Sequence, residues 1–297
     1  MDGLSILIPT YNYCCVDLVR ALHEQACLIG QDFEIIVADD GSTDQDTILA
    51  NKDINKLSHC RYLICQQNKG RSAIRNYLSQ QSIFPWLLFI DSDMVVCRPD
   101  FISHYLSTQG DVIDGGVVIG GSNKNALRYL YESATASEHT AEKRRENPYH
   151  DFHTANFMIR RELMLRYPFD ERYSHYGYED VAFGITLKEN GIGIRHIDNP
   201  MSFEVFEDNE EFVQKTEEGL RTLYEFRHEL QDYSRLLKGI RSLPRFAIWL
   251  IRFWHHMTAD WERRQLTGRH PWLPLFKIYK MGYYLCYAKR QSSSTNH

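Results

Sequence analysis

The chain has 297 residues, 43% hydrophobic and 25% charged, with a net charge of −5. Those are ordinary globular values, and they exclude a low-complexity or disordered chain. The seven cysteines (Cys14, Cys15, Cys27, Cys60, Cys65, Cys97 and Cys286) are odd in number and lack zinc spacing, which argues against a disulfide framework and for a reducing compartment.

Residues 4–9, LSILIP, predict a buried strand that is short, β-branched and ended by Pro9. Val16, Val19, Leu22, Ala26 and Ile29 recur at helical spacing, so 16–29 predict a helix. Strands at 33–38, 61–65 and 85–90 alternate with helices at 44–54 and 72–80. That alternation predicts βαβ units and a parallel sheet. Residues 111–121, DVIDGGVVIGG, predict a strand pair or one turn-rich strand, with Gly-Gly pairs that permit close backbone approach. A helix over 126–146 stops before Pro148, followed by a strand at 154–159 and a short helix at 160–166. Next come a helix at 180–189, closed by Asn190-Gly191, and a strand at 192–197. Residues 209–240 read as one long charged helical segment, and the final QSSSTNH as a disordered tail.

Four segments bear acids or glycines in a telling order: VADDGSTD (37–44), NKGRSAIRN (68–76), FIDSDMVV (89–96) and GYEDVAFG (177–184). The first and third follow apolar, β-prone runs. Carboxylates there stand at the carboxyl end of a sheet, where open α/β folds bind ligands. Acids at such a place are costly unless they meet a cation or hydrogen-bond donors. Asp39 and Asp40 can accept from a base or ribose, and equally can close a turn that Ser42 or Asp44 caps. Gly70 and Arg71 open a helix, whose N-terminus favours anions; Arg75 reads as a surface arginine. Asp91-Ser92-Asp93 supplies hard oxygen ligands for Mg²⁺ or Mn²⁺. Glu179-Asp180 starts a helix, as a dipole-favoured cap or as a general base.

With SILIPTYN (5–12) in front, this ordered set resembles the family 2 glycosyltransferases, inverting enzymes of the GT-A fold, over about residues 4–215. The resemblance implies a Rossmann-like, mostly parallel α/β sheet flanked by helices, with a helical C-terminal extension. It places a nucleotide-sugar-binding and catalytic domain at 1–215 and the basic, aromatic extension at 216–297. Pro9, Thr10, Tyr11 and Asn12 match the nucleotide pocket, with Asp39, Asp40, Gly70, Arg71, Asp91 and Ser92 also on the donor. Asp93, with Asp91, matches the metal-binding DXD motif, and the implied cofactor is Mn²⁺ or Mg²⁺. Asp180, beside Glu179, matches the base that deprotonates the acceptor hydroxyl in a hexosyltransferase-type displacement. Two departures stand out. The family usually has glycine where Tyr178 stands. Many relatives also carry a histidine shortly after the strand at 192–197, where this chain reads NPMSFEVFEDN. His196 is the nearest histidine in the chain; His150, His153 and His175 are further candidates, and the third protein ligand stays open.

From residue 235 onward twelve basic residues face only Asp260 and Glu262, a net +10 that leaves −15 on the first 234. PRFAIWLIRFWHHM (244–257) sets Phe246, Trp249, Leu250, Phe253, Trp254 and Met257 on one helical face, and LPLFKIYKMGYYLCYAKR (273–290) is again aromatic and basic. Residues 244–290 therefore predict contact with an anionic membrane surface, against the alternative of packing on the protein or on a second copy. No nucleic-acid motif accompanies the charge. No signal peptide is read, and no apolar run reaches the length of a membrane span. The expected location is cytoplasmic, peripheral on the inner membrane face.

The leading expectation is a metal-dependent inverting glycosyltransferase with a UDP-linked donor and a glycan or lipid-linked acceptor in cell-surface polysaccharide synthesis. A sugar nucleotidyltransferase is the enzyme alternative. It would open with a Gly-rich phosphate loop after the first strand, which PTYNYCC lacks. A non-catalytic nucleotide-sugar-binding subunit is the third; intact Asp93 and Asp180 argue against it.

Overall fold

A computed structural model describes residues 3–294. The chain forms two compact units. The first comprises Met1–Gly120, Ala136–Ser174 and Glu179–Val205, and the second Gly121–Thr135, His175–Tyr178 and Phe206–His297.

Among the described residues the first unit contains ten strands: β1 Leu4–Thr10, β2 Phe33–Asp39, β3 Cys60–Ile64, β4 Trp86–Ile90, β5 Met94–Val96, β6 Val112–Asp114, β7 Val117–Ile119, β8 Asn156–Arg160, β9 Ile194–His196 and β10 Met201–Phe203. Seven form one sheet in the order β3-β2-β1-β4-β8-β6-β9. All are parallel except β8, which is antiparallel to both its neighbours. β2 and β4 are buried along their whole length, as strands covered on both faces must be. The chain runs outward from β1 through β2 to β3, then returns to β4 on the other side of β1. That reversal creates a switch point at the carboxyl ends of β1 and β4.

An aromatic core joins this sheet to the helix Glu179–Glu189. Phe89 stacks on Phe157 at 4.9 Å, and Phe169 on Phe183 at 4.1 Å. Phe183 and Leu187, both buried, thereby hold that helix against the sheet.

The main elements form where periodicity puts them, and the short ones depart from it. The expected helix over 126–146 is two helices, Leu127–Thr135 and Ala141–Glu146, with a 3-10 turn between them. Ser and Thr in SATASEHT compete for backbone groups, and Thr140 caps the second helix by accepting from the amide of Lys143. The segment 111–121 gives two strands in different sheets: β6 joins the large one, and β7 a small sheet ordered β5-β10-β7. The segment 209–240 divides into Asn209–Glu225, Arg227–Leu230 and Arg235–Ser242, the last capped by Ser234. The tail expected to be disordered is helical to Ser294; its last three residues lie outside the described ones.

The second unit is helical, completed by Arg245–Thr267 and Leu273–Ser294. Its core is Leu127, Phe212, Val213, Leu266, Leu275, Phe276 and Tyr279. Among the described residues no helix is long and apolar enough to cross a membrane.

Candidate active site

The loops after β1 and β2 are bound to each other by their own side chains. Asn12, at φ +49, accepts on its amide oxygen from the amides of Thr43 (2.8 Å) and Asp44 (3.0 Å). Thr10 is buried and donates to the carbonyl of Tyr13, while the ring of Tyr11 is half exposed. Pro9 precedes them, half-buried, in β1. Asp39 is fully buried, accepting from the amide of Ser42 (2.7 Å) and from the Tyr62 hydroxyl. Asp40 accepts from the amides of Lys69 (2.7 Å) and Gly70 (3.0 Å). Burial pushes its carboxyl above the usual range, and those two amides work against that push. Both acids thus hold the loops that line the ends of β1 and β2, and Asp44 caps the next helix.

Two glycines let these loops close. Gly41 has φ +74, and a Cβ there would lie 2.6 Å from the amide nitrogen of Asn68. Gly70 has φ +85, and a Cβ there would lie 2.7 Å from the carbonyl oxygen of Ser174. Only glycine meets both conditions, open backbone geometry and no side chain.

Gly70 starts the helix Arg71–Gln81, which buries polar Ser72, Arg75, Asn76 and Ser79 together with Ile74 and Leu78. Asn76 exchanges hydrogen bonds with the backbone of Phe169, 2.9 Å each way, and Ser72 donates to the carbonyl of Tyr173. Arg75 corrects the sequence expectation. It is 2% exposed, not a surface residue, and its Nη2 donates to Asp91 Oδ1 at 2.6 Å. Its Nη1 lies 4.0 Å from Glu179 Oε1, and its guanidinium sits over the Phe169 ring. Arg71 is the more exposed of the two, 46%, and reaches Glu179 only at 3.5 Å. Arg75 is one helical turn from Arg71, so the two share a face, and their spacing alone does not say which of them is covered.

One guanidinium therefore joins acids from the loop after β4 and from the helix Glu179–Glu189. Asp91 is pinned through its amide to the carbonyl of Ala155, and Ser92 and Asp93 follow it, half-buried. Burial, and then the negative charge of Asp93, push the Tyr13 phenol up. Glu179 and Asp180 differ although adjacent. Burial raises the Glu179 carboxyl, with Arg71 and Arg75 opposing and Asp180 adding to the rise. Burial also works against ionisation of Asp180, but His153, the Val181 amide and Arg75 outweigh it and hold that carboxyl below the usual range. His153 Nδ1 stands 3.5 Å from Asp180 Oδ2, and the Asp180 side chain keeps 27% of its surface. An ionised, accessible carboxylate thus sits beside a buried one. Tyr178, just before them in the chain, adopts φ +71, the geometry that the family's usual glycine would serve.

The histidines sort differently from one another. His196 is buried, with Nδ1 2.9 Å from Asp114 Oδ2 and Nε2 donating to the carbonyl of Pro148 at 2.8 Å. Arg144 completes that cluster, 3.0 Å from Asp114, so His196 serves the fold. His175, in the second unit, lies 3.5 Å from Glu218. His150 is half-buried in the turn after Pro148. Among the described residues no three His, Cys, Asp or Glu gather as a metal cage. Mg²⁺ and Mn²⁺ bind through few carboxylates and fill their remaining positions with phosphate oxygens and waters. Asp93 and Asp91, hard oxygen donors at a strand end, fit an ion completed in that way.

The family model for glycosyl transferase family 2 matches residues 5–167, more than half of the chain. The chain is 25% identical over 246 residues to a chondroitin synthase of Escherichia coli, covering 68% of this chain and 34% of that protein. It is 27% identical over 247 residues to the chondroitin synthase of Pasteurella multocida strain Pm70, covering 68% and 24%. It therefore spans about a third and about a quarter of these relatives' length. In fold it is similar to the mannosyltransferase PcManGT of Pyrobaculum calidifontis, solved in complex with GDP-Man and Mn²⁺, with TM-score 0.53, 13% identity and coverage of 99% and 88%. It is also similar to S. aureus TarS 1–349, solved with UDP-GlcNAc, with TM-score 0.51, 16% identity and coverage of 98% and 92%.

Proposed function

The chain belongs to glycosyl transferase family 2, and from that premise we propose that it moves a sugar from a nucleoside-diphosphate donor to a glycan or lipid-linked acceptor, with inversion, in the synthesis of a cell-surface polysaccharide. The observation that carries this reading is Arg75. It draws Asp91, at the carboxyl end of β4, and Glu179, beside Asp180, onto one buried guanidinium. Donor-side and acceptor-side acids, far apart in sequence, belong to one site.

The residues divide the work. Tyr11 offers a ring face, and the Pro9–Asn12 turn with the Asp39 and Asp40 loops shapes the nucleotide pocket. Arg71, at a helix start, meets phosphate. Asp93, with Asp91, would hold Mn²⁺ or Mg²⁺, which offsets the charge of a diphosphate leaving group. Asp180, ionised at neutral pH, accepts the proton of the acceptor hydroxyl as that oxygen bonds to the anomeric carbon. The bond from that carbon to the diphosphate oxygen breaks on the opposite face, and the nucleoside diphosphate leaves with the electron pair. His153 holds the Asp180 carboxylate in place. The resemblance favours a UDP-linked donor. A lipid-linked acceptor sits in a bilayer, which puts the reaction at a membrane surface.

Two variants test the scheme after a donor panel (UDP, GDP, CMP and dTDP sugars) has identified the ligand by thermal shift. Asp180→Asn is expected to keep donor affinity and lower turnover by about 10²-fold or more. Asp93→Asn is expected to abolish turnover and remove Mn²⁺-dependent stabilisation by the nucleoside diphosphate. Loss of donor binding in the first variant, or unchanged Mn²⁺ dependence in the second, contradicts the assigned roles.

A further inference from the structure

The helix Arg245–Thr267 buries one side only. His255, Glu262 and Leu266 face inward, with His255 Nδ1 2.7 Å from Glu262 Oε2 and Cys286 of the following helix donating to the carbonyl of Arg252. The next helix, Leu273–Ser294, uses its aromatics for packing: Leu275, Phe276, Tyr279 and Tyr284 are buried. The two aromatic stretches that look alike in sequence therefore serve different ends.

On the outer side of Arg245–Thr267, seven large apolar residues stand in water. Phe246, Trp249, Leu250, Phe253, Trp254, Met257 and Trp261 are each 49–67% exposed. At the α-helical turn they fall within an arc of about 140°, opposite the buried trio, over a length of about 23 Å. A contiguous apolar face of that size marks a partner site. Its charges say which partner. Arg245 and Arg264 are exposed on this helix and Arg252 is half-buried, and Arg269 and Lys277 are exposed farther along the chain; Asp260, within the same arc, is the exposed acid of this helix.

We propose that this face docks on an anionic lipid bilayer, with the tryptophans and Phe246, Phe253 in the headgroup–acyl boundary and the arginines on lipid phosphates. Tryptophan suits that boundary because its ring is apolar at one end and polar at the other. Arginine stems lie along apolar surface while the charged heads reach phosphate. A second copy of the chain fits less well, because a two-fold contact would set the same cations against each other. The proposal rests on this helix and not on the sugar-transfer chemistry.

The test uses the full chain without donor. Co-sedimentation with phosphatidylglycerol–phosphatidylcholine vesicles is expected to pellet it at low salt, more weakly at high salt and more weakly still with phosphatidylcholine alone. Replacing Trp249→Ser, Trp254→Ser and Trp261→Ser together is expected to lower binding by more than about tenfold, given the apolar area each ring carries. Because these side chains are solvent-facing, the variant should keep its melting temperature. If it does not fold, quenching of the wild-type protein by brominated lipids decides instead: the exposed tryptophans should quench, while buried Trp86 should not. Failure to pellet, equal binding by the triple variant, or no quenching overturns the proposal. So does a dimer in sedimentation equilibrium that the triple variant loses, since the face then belongs to a second copy. A chain inactive in transfer that still binds vesicles leaves the proposal standing.

Discussion

A guanidinium at 2% exposure, 2.6 Å from a carboxylate, is stable only while both partners remain. Removing Arg75 strands Asp91 in a poorly hydrated place and leaves Glu179 with Arg71 as its cation. Arg75→Met is expected to destabilise the fold by about 3 kcal/mol, toward the low end for a broken buried pair, because Asp91 keeps 21% of its side-chain surface. Arg71→Met is expected to change stability by less than about 1 kcal/mol, since its side chain is half in water. Urea unfolding of the two variants checks the contrast, and equal losses would contradict it. Arg75→Lys should rescue only partly, because a point ammonium cannot reach two acids as a planar fork does. Sequence reading found Asp91 and Glu179 by their place after strands and at a helix start. It missed Arg75 because a charged residue in a polar helix looks the same whether it faces solvent or a carboxylate.

Among the elements, the helix Arg71–Gln81 and its glycine start decide the geometry of the site. Its inward side joins apolar Ile74 and Leu78 to a hydrogen-bonded polar set, so hydrophobic periodicity underrates how firmly it is held. Gly70→Ala is expected to be worse than a plain loop change. It adds a left-handed backbone cost of about 1–2 kcal/mol and sets a methyl 2.7 Å from the Ser174 carbonyl, shifting the amides that Asp40 accepts. The expected outcome is a lower melting temperature together with weaker donor binding, measured by thermal shift and calorimetry. Gly191→Ala is the control: it has φ +67 but nothing within 4 Å, so it should lose stability without losing donor affinity. Long strands were readable from their β-branched runs. β5 and β10 were not: three residues are too few to show alternation, and β6, β7 and β9, equally short, stand out only within longer β-prone segments.

At the scale of the whole molecule, the C-terminal helices are core as well as surface. Ending the chain near residue 243 would remove Leu266, Leu275, Phe276 and Tyr279, leaving Leu127, Phe212 and Val213 without their cover. The truncated chain is expected to bind a hydrophobic dye and aggregate, visible by fluorescence and gel filtration. A monomeric, dye-negative product would show that the second unit does not need these helices. The amino-acid sequence alone determined the α/β alternation, the family and the identity of the acidic motifs. The alternation rests on periodicity and β-branching, the acidic motifs on acids placed just past apolar runs, and the family on the ordered set of motifs that resembles it. Only the tertiary structure decided which of two like arginines pairs with Asp91, that His196 serves Asp114 and not a ligand, and which aromatic stretch of the tail meets water. Each of those turns on which side of an element is covered. Covering comes from residues distant in the chain, and no local spacing records it.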